Sequence, residues 1–149
     1  MLPRDPTIAI RPLAVAEIPL LWGLWDAAGL PIRRKGRDSL SELSRQQRAN
    51  PDGFLGAFDG ERLVGSVIAT DDSRRGWINR LAVAPEFRPA HLGVRLLRAA
   101  EGVLRGRGLR IIGAHVEADN HASRALLLFA GYKAMTDVVY LSKRDSDEV

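Results

Sequence analysis

The chain contains no cysteine, which excludes disulfides, thiolate metal sites and a cysteine nucleophile. Nothing in it points to an oxidising compartment, and no metal-ligand set is expected. Aromatic residues are scarce, at 6%. The arginines are scattered rather than gathered into one run interleaved with rings, which argues against a nucleic-acid binder. No apolar run approaches the roughly 20 residues that a bilayer-crossing helix needs. The opening residues 1–6 hold no signal-peptide core. These absences point to a cytoplasmic protein with no membrane contact.

What is present suits one globular domain over residues 1–149, because a chain of this length buries about 68–70% of the surface that its unfolded form exposes. Apolar residues make up 46% and charged residues 27%, and no repeat or low-complexity linker interrupts them. The formal net charge of +4 is carried by 19 Arg against 3 Lys. That excess favours an anionic ligand somewhere.

Along the chain, residues 7–11 read as an opening strand closed by Pro12. From 15 to 28, Ile18, Leu21, Trp22 and Trp25 fall at helical spacing, with Pro19 in the first turn and Gly29 as cap. A basic loop, 30–38, leads to Ser39 and Glu42, a capping-box pair that predicts a helix ending near Asn50. Asp59-Gly60 between two apolar runs, 54–58 and 62–70, predicts a hairpin. A strand over 77–84 follows, then a long amphipathic helix from Leu92 to Leu104, a strand over 109–117, a helix over 120–130 and a last strand over 138–141. The expected order is β-α-α-β-β-β-α-β-α-β. His121 reads as solvated surface and the stretch from about 143 as a disordered tail.

The most informative stretch runs from Ile78 to Leu97, where a strand ends at Pro85 and a short turn containing Arg88 feeds an amphipathic helix. Unpaired backbone N–H groups and the positive end of the helix dipole make such a place a phosphate site. A second stretch, 116–132, carries Asn120 after a strand and Gly131-Tyr132 after a helix.

Together these two motifs resemble the Gcn5-related N-acetyltransferase (GNAT) superfamily, over essentially the whole chain. The residues that carry the resemblance are Leu81-Ala82-Val83 with Pro85-Glu86-Phe87-Arg88, and Asn120 to Arg124 with Gly131-Tyr132. It implies an α/β (α+β) fold with a mixed, mainly antiparallel sheet flanked by about four helices. It also implies acetyl-CoA as donor, CoA as product and an amine as acceptor, either a small molecule or a peptide N-terminus, and it allows a homodimer. By the same resemblance, Leu81, Ala82 and Val83 meet the pantetheine arm, with Val83 polarising the thioester. Arg88, Pro89, Ala90, His91, Leu92, Gly93 and Val94 cradle the pyrophosphate. Asn120 reaches the pantetheine and Arg124 lies near the adenosine.

Departures from the pattern set further expectations. His91 stands where the family has a glycine, and Pro89 has no N–H to donate. Leu127 stands where many members carry the tyrosine that protonates the departing thiolate, so solvent, Tyr132 or Tyr140 takes that part, or no acid is needed. Twelve residues before Leu127, where related enzymes carry a carboxylate base, stands His115. Imidazole titrates near ~6.5 in general, and alternation puts Glu117 on the same face to orient it. The bland alternative is a His115 that packs beside the cofactor with no proton role.

By this resemblance Trp22, Trp25 and Asp26 on the first helix lie in the region that shapes the acceptor pocket; the two tryptophans, at helical spacing, read first as core. Arg33, Arg34, Lys35 and Arg37 read as solvated surface; where they do meet substrate, they favour an acceptor bearing a carboxylate or phosphate over a polyamine. Leu127 and His91 keep open a rival, a non-catalytic acyl-CoA-binding or sensing module.

Overall fold

The computed structural model describes residues 7–88 and 91–149. Pro89 and Ala90, both expected in the pyrophosphate turn, lie outside the described residues. The elements are β1 (Ile8–Pro12), a 3₁₀ turn (Val15–Glu17), α1 (Leu20–Ala27), α2 (Leu40–Ala49), β2 (Phe54–Asp59), β3 (Arg62–Asp71), β4 (Gly76–Val83), a second 3₁₀ turn (Pro85–Phe87), α3 (Leu92–Gly106), β5 (Ile112–Ala114) and α4 (His121–Phe129). They form one five-stranded sheet in the order β1-β2-β3-β4-β5. Every neighbouring pair is antiparallel except β4 and β5, which run parallel.

Strand β3 is the spine of the molecule, buried from Leu63 to Ala69. Side chains alternate between the two faces of a strand, and two adjacent residues show what covers each face. At Gly65 an added Cβ would lie 2.7 Å from Leu96 of α3, so that helix sits directly on the backbone. At Ser66 the hydroxyl accepts a hydrogen bond from Trp25 Nε1 of α1, 3.0 Å away. Helices α3 and α1 therefore flank opposite faces. Of the α3 stripe that the spacing predicts, Leu92, Leu96, Ala100 and Leu104 are buried and Val103 is half-buried, while Leu97 is buried as well, and Trp25 is wholly buried in the core.

Local signals place the remaining elements. The Ser39 hydroxyl accepts from Glu42 N at 3.2 Å and starts α2, as the capping pair predicts. The helix expected over 15–28 is instead split into a 3₁₀ turn and α1, with Pro19 as the N-cap of the latter. A proline has no N–H to donate to the preceding turn.

Two expectations at the far edge of the sheet need correction. Strand β5 spans only Ile112–Ala114 rather than 109–117, because its single partner, β4, leaves it after Ile78↔Ala114. The strand expected over 138–141 does not form, and Val138, Val139, Tyr140 and Leu141 are exposed. A three-residue edge offers too short a ladder to template another strand. Instead, the Tyr140 ring meets that of His115, with centroids 4.9 Å apart.

Among the described residues no helix is long and apolar enough to cross a membrane. Beside β1, the Glu17 carboxylate receives both Nη1 and Nη2 of Arg11, at 2.8 and 2.7 Å. That pairing, helped by the Ala14 N–H, pulls Glu17 from 4.5 down to about 2. A carboxylate depressed in the folded state stabilises fully above its unfolded value and loses this contribution as pH falls through the folded one. Thermal melts of Glu17→Gln and the parent should therefore differ near neutrality and converge between about pH 4.5 and 2; a gap independent of pH would show that the pair contributes only packing.

Candidate active site

The site begins with a failure of pairing. Strands β4 and β5 are joined from Gly76↔Ile112 to Ile78↔Ala114, yet β4 continues to Val83, so a wedge opens between them. Its cause lies at Arg80. The β3–β4 register shifts between Ser66 and Ile68, and Arg80 adopts φ of 52°, a left-handed conformation that costs a non-glycine residue about 1–2 kcal/mol.

A buried polar network holds this bulge. Ser66 Oγ donates to the Arg80 carbonyl at 2.8 Å while accepting from Trp25. The Arg80 guanidinium lies 4.5 Å over the Trp25 ring and donates to Pro31 O at 2.7 Å and Asp38 Oδ2 at 2.6 Å. Asp38 Oδ2 also accepts from Arg33 N, and the Asp38 carbonyl accepts from Trp22 Nε1, each at 2.8 Å. Burial lowers the Arg80 pKa from its ordinary value, and the charge of Asp38 opposes the shift. The loop from Leu30 to Asp38 is thereby tied to the bulge.

Two concavities open along the wedge. The larger, about 400 Å³, is lined by Leu81, Ala82 and Val83 of β4, by Arg88, by His91, Leu92, Gly93 and Val94 at the start of α3, and by Asn120. The structure thus gathers at one cleft all the described residues expected at the cofactor except Arg124. That side chain turns back, donating to Ala118 O at 3.1 Å. Arg88 Nε donates to Val83 O at 3.0 Å and closes the end of β4. Asn120 caps α4 by accepting from Ser123 N at 3.1 Å, which leaves its amide N–H₂ to offer a ligand. Phe129, 74% exposed, adds an apolar wall.

The smaller concavity, about 230 Å³, is lined by Arg37, Asn79, Arg80, His115, Glu117 and Leu127, among others. Leu30, Leu81, Asn120 and Ser123 line both, so the two spaces meet. His115 stacks on Trp77 with centroids 5.0 Å apart and planes 19° from parallel. Tyr132 lines neither space. Its hydroxyl donates to Glu101 Oε2 at 2.8 Å, and burial followed by this bond pushes the phenol well above its ordinary value.

Sequence reasoning missed Arg80, Asp38 and Trp77. An arginine inside the apolar run INRLAV was a visible signal; the left-handed turn that gives it meaning was not. His91 is also left-handed, at φ 62°, as the N-cap of α3, a conformation that glycine adopts without strain. Asp26 is exposed, away from both spaces.

The profile of the acetyltransferase (GNAT) family matches residues 20–132. An acetyltransferase of Sodalis glossinidius (strain morsitans) is 30% identical over 121 residues, 81% of this chain and 84% of that one. The chain belongs to the GNAT acetyltransferase family. It is thus an acetyl-CoA-dependent enzyme, as the sequence motifs imply. N-alpha-acetyltransferase 30 of Schizosaccharomyces pombe is 32% identical over 87 residues, 53% of this chain and 58% of that protein. The fold is that of the PaiA N-acetyltransferase from Thermoplasma acidophilum, solved with coenzyme A, at a TM-score of 0.69 and 24% identity, covering 85% of this chain and 89% of that one. The GNAT fold accounts for the element order and the wedge together.

Gly93 supplies a test of the larger cleft. A Cβ there would lie 2.9 Å from Leu126 Cδ2, a neighbouring wall residue, whereas at Gly102 nothing lies within 4 Å. Gly93→Val should push Leu126 into the cleft and weaken acetyl-CoA binding at least tenfold by calorimetry. Gly102→Ala should leave affinity unchanged and add up to about 1 kcal/mol of helix stability. Equal affinities in the two variants would separate the cofactor from this cleft.

Proposed function

We propose that the protein moves the acetyl group of acetyl-CoA to a primary amine, a small molecule or a peptide N-terminus, by direct attack. The observation that carries this reading is the junction of the two spaces at Leu81 and Asn120. A thioester threaded through the larger cleft would present its carbonyl to whatever occupies the smaller one. Unpaired backbone along β4 near Val83 polarises that carbonyl. The acceptor must first lose a proton to expose its nitrogen lone pair, and on this reading His115, which lines the smaller space together with Glu117, collects that proton directly or through a water. The nitrogen–carbon bond then forms, the tetrahedral centre collapses, and the carbon–sulfur bond breaks with the electron pair leaving on CoA sulfur.

Among the described residues no tyrosine lines either space, so this reading has no protein acid at the sulfur. Thiols ionise near ~8.5 in general, and a thiolate departs without help.

Binding and chemistry are separable here. Acetyl-CoA at one hundred times its dissociation constant should stabilise the parent and His115→Ala alike, by about 2.7 kcal/mol. Turnover of a reactive amine by His115→Ala should fall by roughly 10²–10⁴, with loss of the acidic limb of its pH profile and a smaller loss in Glu117→Gln. Parental turnover and an unaltered limb in His115→Ala would remove the imidazole from the mechanism.

A further inference from the structure

His115 reaches the smaller space from a place where little holds it. Strand β5 ends at Ala114, so the His115 backbone has no ladder partner, and the residue is exposed. Among the described residues no hydrogen bond from the protein, Glu117 included, reaches its imidazole. An imidazole that moves protons is ordinarily oriented by a hydrogen bond to its other ring nitrogen. Here two rings stand in that place. Trp77 of β4 stacks on the imidazole at 5.0 Å between centroids, and Tyr140 meets it at 4.9 Å with the planes 36° apart. Trp77 has its own support. It pairs with Gly113 of β5, where an added Cβ would lie 3.0 Å from Trp77 Cζ3, so the bare glycine backbone admits the indole. Tyr140 has no such seat. It is 64% exposed and lines neither space. Among the described residues its hydroxyl makes no hydrogen bond, and its ring meets that of His115 alone.

We infer that Tyr140 is a positioning residue for His115, its ring clamping the imidazole against Trp77 at the border of the smaller space. This rests on the reading above, in which His115 collects the acceptor's proton. Among the described residues no ring contact joins Trp77 to Tyr140, so the imidazole stands between them. A ring held through its faces keeps its edge free, and both imidazole nitrogens lie on that edge. Turning the His115 side chain would break one ring contact or both, so the pair of rings does what a hydrogen bond does elsewhere. The part played by Tyr140 belongs to its ring. A hydroxyl without a partner, on a residue outside both spaces, is no proton donor to the reaction, and phenylalanine should serve as well. The segment 138–141 thereby gains a purpose that its missing ladder does not supply: it carries one aromatic group to the rim of the site.

The test joins turnover to a direct view of the imidazole. CoA release is followed with the amine that turns over fastest among free amino acids, dipeptides and alkylamines. Tyr140→Leu should lower kcat about 2–10-fold, the range expected of one aromatic pair, while KM for the amine and affinity for acetyl-CoA stay near parental because Tyr140 lines neither space. Tyr140→Phe should keep the parental kcat. In proton–carbon NMR spectra the His115 imidazole signals, assigned by their loss in His115→Ala, should be displaced by the ring currents of both neighbours. Tyr140→Leu should move them toward the signals of His91 and His121, and Tyr140→Phe should leave them in place. Tyr140 is exposed, so both variants should fold as the parent does. Parental kcat or unmoved His115 signals in Tyr140→Leu, or a Tyr140→Phe enzyme as impaired as Tyr140→Leu, overturns the inference; loss of turnover in His115→Ala then leaves the imidazole in the mechanism. Parental turnover in His115→Ala, or no CoA release with any amine, overturns the inference together with the reading on which it rests.

Discussion

The hydrogen bond from Ser66 Oγ to the Arg80 carbonyl is the constraint on which the site depends. Ser66 is wholly buried, and its hydroxyl has one donor, used on Arg80, and an acceptor, used on the Trp25 indole. A strand residue in the left-handed region reverts to a regular ladder unless its surroundings over-determine it. Here the carbonyl, the guanidinium and the neighbouring loop are all held at once. With Arg80 fixed, β4 cannot follow β5, the ladder ends at Ile78, and the wedge between the strands stays open.

The same network couples two parts of the wedge. The β4 backbone lines both spaces, and the loop from Leu30 to Asp38 supplies Leu30, Pro31 and Arg37 to the wall of the smaller one. Because Arg80 belongs to the first and Asp38 to the second, their geometry is set jointly. Burying an ion pair is seldom a source of net stability, but removing one partner leaves an uncompensated charge and is strongly destabilising. The pair is therefore better understood as fixing where the loop sits than as holding the fold together.

Elements defined by local chemistry were legible in the sequence. The Ser39–Glu42 cap, the hairpin and helix α3 each carry a signal within a few residues and each forms, although the hairpin turns at Gly60-Glu61 with Asp59 still paired to Arg62. The walls of the larger cleft were legible because they come from two contiguous motifs. What could not be read depends on pairing at a distance. The length of β5 is set by the path of β4, and the exposed 138–141 segment has β propensity but no ladder to join. Arg80 and Asp38 lie 42 residues apart, and neither residue alone announces the other. Assignment of His115 by spacing from Leu127 found a residue on the smaller space, but the strand alternation expected to set Glu117 on the same face does not apply, because β5 ends at Ala114.

Leu127, buried and lining the smaller space, would limit which donors the proposed reaction can use. On the proposed reaction the leaving group departs carrying its full negative charge. A sulfur anion tolerates this near neutral pH, whereas an alkoxide is more basic by several orders of magnitude. The apolar side chain would therefore act as a chemical filter. Oxygen esters of similar shape would bind without reacting, and acyl transfer would be confined to thioesters by their leaving group, with no contact needed to recognise the sulfur itself.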